Sequence, residues 1–196
     1  TTMGHFLMDL GIVDERTIAA HAKESEETGK GDTFKYAWVM DNIKDERARG
    51  ITIDLAFQKF ETPKYFFTLI DAPGHRDFVK NMITGASEAD CAVLVLSAQE
   101  GETDTAIAPG GQAREHAFLL KTLGVGQIIV AVNKMDAADY KEEAYNAVVQ
   151  KGTELVKQCG YKPETVPFIP VSGWKGANLV KKSENMACGK GNTHIE

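Results

Sequence analysis

The sequence predicts an α/β fold, with a mostly parallel sheet covered by helices on both faces. Apolar runs of strand length at residues 91–96, 127–132 and 168–171 alternate with stretches in which apolar residues recur at helical spacing. This order makes neighbouring strands parallel, because the helix between them returns the chain to the same end of the sheet. Two earlier strands, at residues 51–58 and 65–70, are close enough in sequence to form a hairpin.

Helices are predicted before and between these strands. Apolar spacing indicates a first helix over residues 3–10, and Asp14 is an N-cap for a second helix that reaches about residue 27. Residues 37–43 indicate a third helix, which ends in the charged run 44–50. Further helices are predicted near residues 78–83, 117–123 and 140–159.

The composition is that of one soluble globular domain. The 196 residues are 43% hydrophobic and 26% charged, and the net charge of −6 argues against nucleic-acid binding over the whole surface. The cysteines are far apart and lack the spacing of a zinc site. The longest apolar stretch falls far short of the roughly 18 residues that a membrane span needs. We therefore expect a cytoplasmic protein without membrane contact.

The stretch Asp71-Ala72-Pro73-Gly74-His75 directly follows a predicted strand. An acid at the carboxyl end of a strand can hold a metal ion through water, and a glycine beside it lets the backbone approach a phosphate. His75 is then a candidate for orienting an attacking water, because phosphoryl transfer depends mainly on positioning and charge stabilisation. Considered alone, the stretch is equally compatible with an ordinary turn.

The stretch Asn133-Lys134-Met135-Asp136 follows another predicted strand and is expected at the same edge of the sheet as Asp71. A carboxylate at Asp136 can accept two hydrogen bonds from guanine, while Asn133 and Lys134 brace the ring and the loop. Adenine lacks this pair of donors, and a buried carboxylate left half unpaired costs about 1–3 kcal/mol. The alternative is a polar loop without a ligand.

Two further positions complete the pattern. The backbone N–H groups of Ser172-Gly173-Trp174, after the last predicted strand, are candidates to bind the guanine carbonyl, although the stretch alone is also a simple turn. Thr52 lies at the end of the charged segment, where its hydroxyl can join Mg²⁺ to a terminal phosphate. An exposed strand threonine is the commoner situation for that residue type.

In this order the motifs resemble those of the translational GTPases, and most closely elongation factor 1-alpha of archaea and eukaryotes. The resemblance covers nearly the whole chain, and the runs at 80–83 and 112–116 favour the elongation factor over termination and ribosome-rescue relatives. It implies the fold of a P-loop NTPase-type G domain. The motifs that carry it are residues 45–53, 71–83, 133–136 and 172–174.

The resemblance implies a GTPase that carries aminoacyl-tRNA to the ribosomal A site, acts as a monomer and has a nucleotide exchange factor as a partner. GTP or GDP and Mg²⁺ are the implied cofactors. By the same likeness Thr52 and Asp71 hold Mg²⁺, Gly74 senses the γ-phosphate and His75 orients the hydrolytic water. The rest of the stretches 71–75, 133–136 and 172–174 would contact the nucleotide.

The chain also departs from the family pattern. The phosphate-binding loop Gly-x-x-x-x-Gly-Lys-Ser/Thr is not found, and residues 1–5 resemble the segment that follows it. We therefore expect residues 1–196 to be a GTP-binding (G) domain truncated at both ends, without its first strand, without that loop and without the tRNA-binding β-barrel domains. Such a fragment would be inactive by itself. A termination or ribosome-rescue GTPase and a non-hydrolysing interaction module remain as alternatives.

Overall fold

The computed structural model describes residues 1–29, 31, 34–41 and 43–186. The chain divides into two units, Thr1–Gly85 and Ala86–Glu196. The first unit holds a two-stranded antiparallel sheet, and the second holds a three-stranded parallel sheet.

The first unit is built from short helices and one hairpin. Its elements are α1 (Thr2–Asp9), α2 (Glu15–Glu27), α3 (Phe34–Ala37), α4 (Lys44–Arg49), β1 (Ala56–Glu61), β2 (Phe66–Asp71), a 3-10 turn (Arg76–Phe78) and α5 (Val79–Ser87), which ends just beyond the unit. The predicted cap of α2 is confirmed, since Asp14 Oδ1 accepts a hydrogen bond from the Thr17 N–H at 2.7 Å. Within this unit α1 packs so closely on α3 that a Cβ on Gly4 would collide with the Tyr36 carbonyl oxygen.

The charged run 44–50 forms a helix of its own. The sequence predicts it as the end of a helix over residues 37–43, which is wrong, because α3 ends at Ala37 and α4 begins at Lys44. The start of α4 is stabilised by Glu46, whose carboxylate accepts the Ile43 N–H at 3.1 Å. The helix ends at Gly50, which has the left-handed conformation (φ 72°) that glycine adopts without strain.

The predicted hairpin is confirmed. Strands β1 and β2 pair in antiparallel register from Ala56 opposite Asp71 to Glu61 opposite Phe66. One face is aromatic, with the Phe60 and Phe67 rings stacked at 4.8 Å and the Phe6 ring of α1 edge-on to Phe60 at 5.5 Å. These contacts hold the start of β2 against α1, and β2 then runs on to Asp71 at its other end.

The first strand of the hairpin is shorter than predicted. It begins at Ala56 rather than at residue 51. The N–H groups of Ile53 and Asp54 donate to Glu46 Oε1 at 2.9 and 3.0 Å, so they are not available for strand pairing. A side chain therefore takes the place of a neighbouring strand over this part of the chain.

The second unit confirms the predicted alternation of parallel strands and helices. Its elements are β3 (Cys91–Ser97), α6 (Glu102–Ile107), α7 (Gln112–Thr122), β4 (Gln127–Asn133), a 3-10 turn (Met135–Ala138), α8 (Glu142–Gln158), a 3-10 turn (Pro163–Thr165) and β5 (Phe168–Pro170). The central strand β4 pairs with β3 and β5, and its residues Val130, Ala131 and Val132 are fully buried. Helix α8 packs closely on β5, because a Cβ on Gly152 would lie 2.6 Å from the Phe168 ring.

Two helices of this unit differ from the prediction. Helix α6 is not predicted, and it is anchored by Thr103, whose hydroxyl donates to the Ser97 carbonyl at 2.7 Å and accepts the Ser97 N–H at 3.1 Å. Helix α8 starts at Glu142 rather than at residue 140, because Asp139 and Tyr140 have positive φ angles. Among the described residues no helix is both long and apolar enough to cross a membrane.

Candidate functional site

Strand β4 ends at Asn133 and leads directly into the loop 133–136. Lys134 has a left-handed conformation (φ 61°), which turns the chain sharply away from the strand. Met135 is fully buried, and its N–H donates to the Val171 carbonyl at 3.2 Å. This buried anchor holds the side chains of Asn133 and Asp136 at the end of the sheet.

Two side-chain contacts join the loop 133–136 to the loop 172–174, which follows β5. Asn133 Oδ1 accepts the Gly173 N–H at 2.8 Å. The Ser172 hydroxyl donates to Asp136 Oδ1 and accepts the Lys175 N–H at 3.0 Å. Ser172 and Gly173 are both buried. The structure thus brings the two predicted base-recognition stretches together and links them through four of their polar groups.

Two N–H groups of the loop 172–174 donate to other groups of the protein. The Ser172 N–H donates to the Ala177 carbonyl at 3.0 Å, and the Gly173 N–H donates to Asn133. Both groups stabilise the loop, so a ligand carbonyl would take the Gly173 N–H only by displacing the Asn133 oxygen. The Trp174 ring, partly exposed, has Lys175 Nζ 5.6 Å from its centroid.

The Asp136 carboxylate retains the capacity to bind further donors. An ionised carboxylate offers about four acceptor positions, and the Ser172 hydroxyl uses one of them. Asp136 is also partly exposed, so a ligand can reach it. Its geometry suits a planar group with two adjacent N–H donors.

Sequence reasoning missed two residues that support these loops. Lys134 Nζ donates to both oxygens of Glu102, at 2.9 and 2.7 Å, and this bond lowers the pKa of the Glu102 carboxyl. The buried amide of Asn178 donates to the Pro170 carbonyl at 2.8 Å, at the end of β5 and just before the loop 172–174. Glu102 lies 32 residues from Lys134 in sequence, and no motif spacing points to either supporting residue.

In the first unit, Asp71 is the last residue of β2 and is partly buried. Burial raises the pKa of its carboxyl to about 6, and the nearby carboxylates of Asp41 and Glu46 act in the same direction. Asp71 is therefore a carboxylate that would be stabilised by a cation.

The loop 71–75 continues with a buried Pro73 and an exposed Gly74. Apart from its chain neighbours, no described protein atom lies within 4 Å of the position that a Cβ on Gly74 would take, so there is open space on this side of the residue. His75 begins the 3-10 turn, and its Nδ1 accepts the Asp77 N–H at 3.2 Å. A neutral imidazole bonded in this way carries its proton on Nε2.

Thr52 and Asp71 both interact with a third residue, Asp41. The Thr52 hydroxyl donates to Asp41 Oδ1 at 3.3 Å, and Asp41 is 5% exposed and interacts electrostatically with Asp71. Oxygen donors of this kind suit Mg²⁺, which prefers one or two protein ligands with water and phosphate completing its shell. In the described part of the chain, no group of three His, Cys, Asp or Glu residues is arranged to hold a metal.

Similarity to known proteins decides the family. A family model described as the elongation factor Tu GTP binding domain matches residues 1–187. The chain belongs to this family. The predicted resemblance to translational GTPases is therefore confirmed at the level of the GTP binding domain.

Relatives within the family include archaeal elongation factors. The chain is 83% identical over 196 residues to elongation factor 1-alpha of Cenarchaeum symbiosum (strain A), covering 100% of the chain and 45% of that protein. It is 54% identical over 198 residues to elongation factor 1-alpha of Ignicoccus hospitalis, again covering 45% of that protein. The chain thus spans about half the length of these relatives.

Solved structures show the same fold. The GTPase-like domain of S. cerevisiae Ski7, bound to GDP and inorganic phosphate, matches 99% of the chain and 44% of that protein with a TM-score of 0.80 at 23% identity. The structure of sup35 complexed with GDP matches 99% of the chain and 39% of that protein with a TM-score of 0.68 at 28% identity. The chain therefore has the helices and parallel sheet of a G domain, as predicted.

Proposed function

We propose that the chain binds GTP and GDP and recognises guanine through Asp136. The observation that carries this proposal is the fixed Asp136 carboxylate, which Ser172 orients while leaving acceptor positions open. Guanine presents N1–H and an exocyclic amine side by side, whereas adenine presents an acceptor at N1. A hydrogen-bonding site of this kind rejects a base that leaves its carboxylate unpaired. In this arrangement Asn133 braces the loop 172–174, and the stem of Lys134 borders the base.

On the phosphate side, Thr52 and Asp71 would hold Mg²⁺, the former directly and the latter through water. The partly buried Asp71 carboxylate and the Thr52 hydroxyl are the oxygen donors that this ion prefers. When bound, Mg²⁺ offsets the negative charge of the terminal phosphates. The open space at Gly74 fits the approach of a phosphate to the backbone of the loop 71–75.

His75 would orient the water that attacks the terminal phosphate. Its Nδ1 is occupied by the Asp77 N–H, so the Nε2 side of the ring is the part that can contact water. The side chain is 38% exposed and can change orientation when a partner binds. Such a role requires only positioning, which is the main protein contribution to phosphoryl transfer.

For the whole protein, we propose GTP-dependent delivery of aminoacyl-tRNA to the ribosomal A site, with GTP hydrolysis. Support comes from relatives named elongation factor 1-alpha at 83% and 54% identity. The proposed partners are aminoacyl-tRNA, the ribosome and a nucleotide exchange factor, and the proposed form is a cytoplasmic monomer. The 83% identity to a relative named elongation factor 1-alpha, against 28% to sup35, favours the elongation assignment.

The proposal is tested by titrating the full-length gene product with mant-GTP and mant-ATP in the presence of Mg²⁺. We expect a preference for the guanine nucleotide of at least about a hundredfold. Equal affinities would contradict guanine recognition. In a second assay, ribosomes programmed with mRNA and supplied with aminoacyl-tRNA should accelerate GTP hydrolysis. A protein that prefers GTP but shows no acceleration would contradict only the elongation assignment.

A further inference from the structure

The carboxylate of Glu46 closes the segment 43–54 into a loop. Its Oε2 accepts the Ile43 N–H at 3.1 Å, at the start of α4. Its Oε1 accepts the N–H groups of Ile53 and Asp54 at 2.9 and 3.0 Å, beyond the end of α4. The Glu46 residue is only 3% exposed, so these bonds are shielded from water.

The Glu46 carboxylate binds backbone N–H groups of the protein, which is a structural role. Both carboxylate oxygens are engaged by backbone donors, and a buried charge is tolerated when several hydrogen bonds satisfy it. The other acidic residue of the same turn, Asp45, is exposed. These adjacent acids of one short helix differ in burial, and only Glu46 accepts the backbone N–H groups of residues 43, 53 and 54.

The bonded amides lie directly after Thr52, the proposed Mg²⁺ ligand. With Ile53 and Asp54 held by Glu46, the backbone of Thr52 is fixed on its C-terminal side. Its hydroxyl is directed to Asp41 Oδ1 at 3.3 Å. Because a hydroxyl donates one hydrogen and keeps two lone pairs, this bond leaves Thr52 able to coordinate a cation.

The other end of the segment is fixed by Arg47. Its Nε donates to the Asp41 carbonyl at 2.9 Å, and its guanidinium lies 5.3 Å from the centroid of the buried Trp38 ring. A terminal nitrogen of Arg47 also contacts Glu24 of α2 at 3.2 Å. Helix α4 therefore fixes the chain on both sides of the Thr52 contact. Arg47 binds the backbone of Asp41, and the neighbouring Glu46 binds the backbone after Thr52.

We propose that Glu46 is a positioning residue that sets the Thr52 hydroxyl for a divalent cation and a terminal phosphate. The inference rests on the proposed function of Thr52 and adds the residue that determines its place. Glu46 acts on Thr52 through the Ile53 and Asp54 amides, without a direct contact to either ligand. Its loss therefore affects the triphosphate complex, which uses Thr52, more than the diphosphate complex, which has no terminal phosphate for that residue.

The test compares Glu46→Gln with Asp45→Asn in the full-length gene product. Each variant removes one negative charge from α4. Only Glu46→Gln also replaces a carboxylate oxygen that accepts backbone N–H groups with an amide nitrogen, which is a donor. The first readout is the Mg²⁺ concentration that half-maximally slows mant-GTP dissociation. We expect it to rise about tenfold in Glu46→Gln, as for other residues that orient a metal ligand, and to remain unchanged in Asp45→Asn. Dissociation of mant-GDP should change less than about twofold in either variant.

A second readout is independent of nucleotide. Hydrogen exchange of the Ile53 and Asp54 amides in the nucleotide-free protein should be faster in Glu46→Gln than in Asp45→Asn. A Thr52→Ala variant should raise the Mg²⁺ requirement similarly, and adding Glu46→Gln to it should have little further effect.

The outcomes separate this proposal from the function on which it rests. Equal weakening of mant-GTP and mant-GDP in Glu46→Gln would show a general structural role and overturn the proposal, as would no change in either readout. A wild-type protein that binds neither nucleotide would contradict the proposed function and the inference together. Wild-type binding with an unaltered Glu46→Gln variant would contradict the inference alone.

Discussion

The hydroxyl of Ser172 donates a hydrogen bond to the carboxylate of Asp136, across two loops that follow the neighbouring strands β5 and β4. The same hydroxyl accepts the Lys175 N–H at 3.0 Å, so its orientation is fixed from both sides. Asp136 is therefore aligned before a ligand arrives. Such preorganisation reduces the entropy that binding must otherwise remove.

Replacing Ser172 with alanine should weaken guanine nucleotide binding. The change removes the donor that aligns Asp136 and leaves the Lys175 N–H without its acceptor. We expect a loss of about 1–2 kcal/mol, or roughly 5- to 30-fold in the Kd for mant-GDP. Thr165→Ala is a matched control, since its exposed hydroxyl donates to the Lys162 carbonyl elsewhere in the second unit. Similar losses in the two variants would contradict a specific role for Ser172.

The raised pKa of Asp71 predicts that Mg²⁺ affinity depends on pH. Metal binding requires the ionised carboxylate, so affinity should fall as pH decreases through about 6. Below that value the decrease should approach about tenfold per pH unit, because one proton competes with the cation. In the absence of metal the sign for stability is opposite: protonated Asp71 is favoured in the fold, and its contribution is lost as pH rises from 3.8 through about 6.

This dependence is measured by Mg²⁺ titration of mant-GDP dissociation between roughly pH 5 and pH 7.5. Asp71→Asn should bind Mg²⁺ weakly and lack the titration near pH 6. A wild-type Mg²⁺ affinity that is constant over this range would show that Asp71 is not the titrating ligand.

His75→Ala should reduce ribosome-stimulated GTP hydrolysis by about a hundredfold or more, because positioned proton-transfer and water-orienting groups contribute at least that much. The affinity for GTP should remain within about threefold of wild type, since the ring lies outside the contacts proposed to bind the base or the metal. Single-turnover hydrolysis and mant-GTP titration separate the two effects. A large loss of affinity would make His75 a structural residue instead.

Several features of the fold were predictable because local pattern and tertiary environment agree. The run 128–132 is apolar throughout, and β4 is the central strand, with Val130 and Val132 fully buried. The hairpin was also predictable, since two strands with a short connection pair in the simplest way. The cap at Asp14 is similarly local, formed with an N–H three residues away.

Other features depend on contacts that no local pattern records. The charged run 44–50 gives no sign that Glu46 is buried while Asp45 is exposed, because the difference arises from three backbone donors that only the folded chain brings together. Likewise, the pairing of Glu102 with Lys134 links residues far apart in sequence. The prediction that Asp71 and Asn133 share one edge of a sheet stays a prediction, since they belong to different units.

The sequence predicts which loops form the candidate site, but not the hydrogen bonds that join them. The sequence indicates that residues 133–136 and 172–174 both follow strands of one sheet, and the structure brings them together. The sequence does not indicate that Asn133 accepts the Gly173 N–H, the same donor that is predicted to contact the base. Side-chain to backbone bonds of this kind are set by the exact geometry of two loops.

The central claim, that Asp136 reads the base, is tested most directly by Asp136→Asn in the full-length gene product. An asparagine amide offers a donor where the carboxylate offers an acceptor. It should therefore disfavour the guanine amine and donate a hydrogen bond to the carbonyl that xanthine carries at the same position. We predict that the variant loses GTP affinity by about a hundredfold or more and gains affinity for XTP. A variant that weakens both nucleotides equally, or retains its preference for GTP, would contradict the assignment of Asp136.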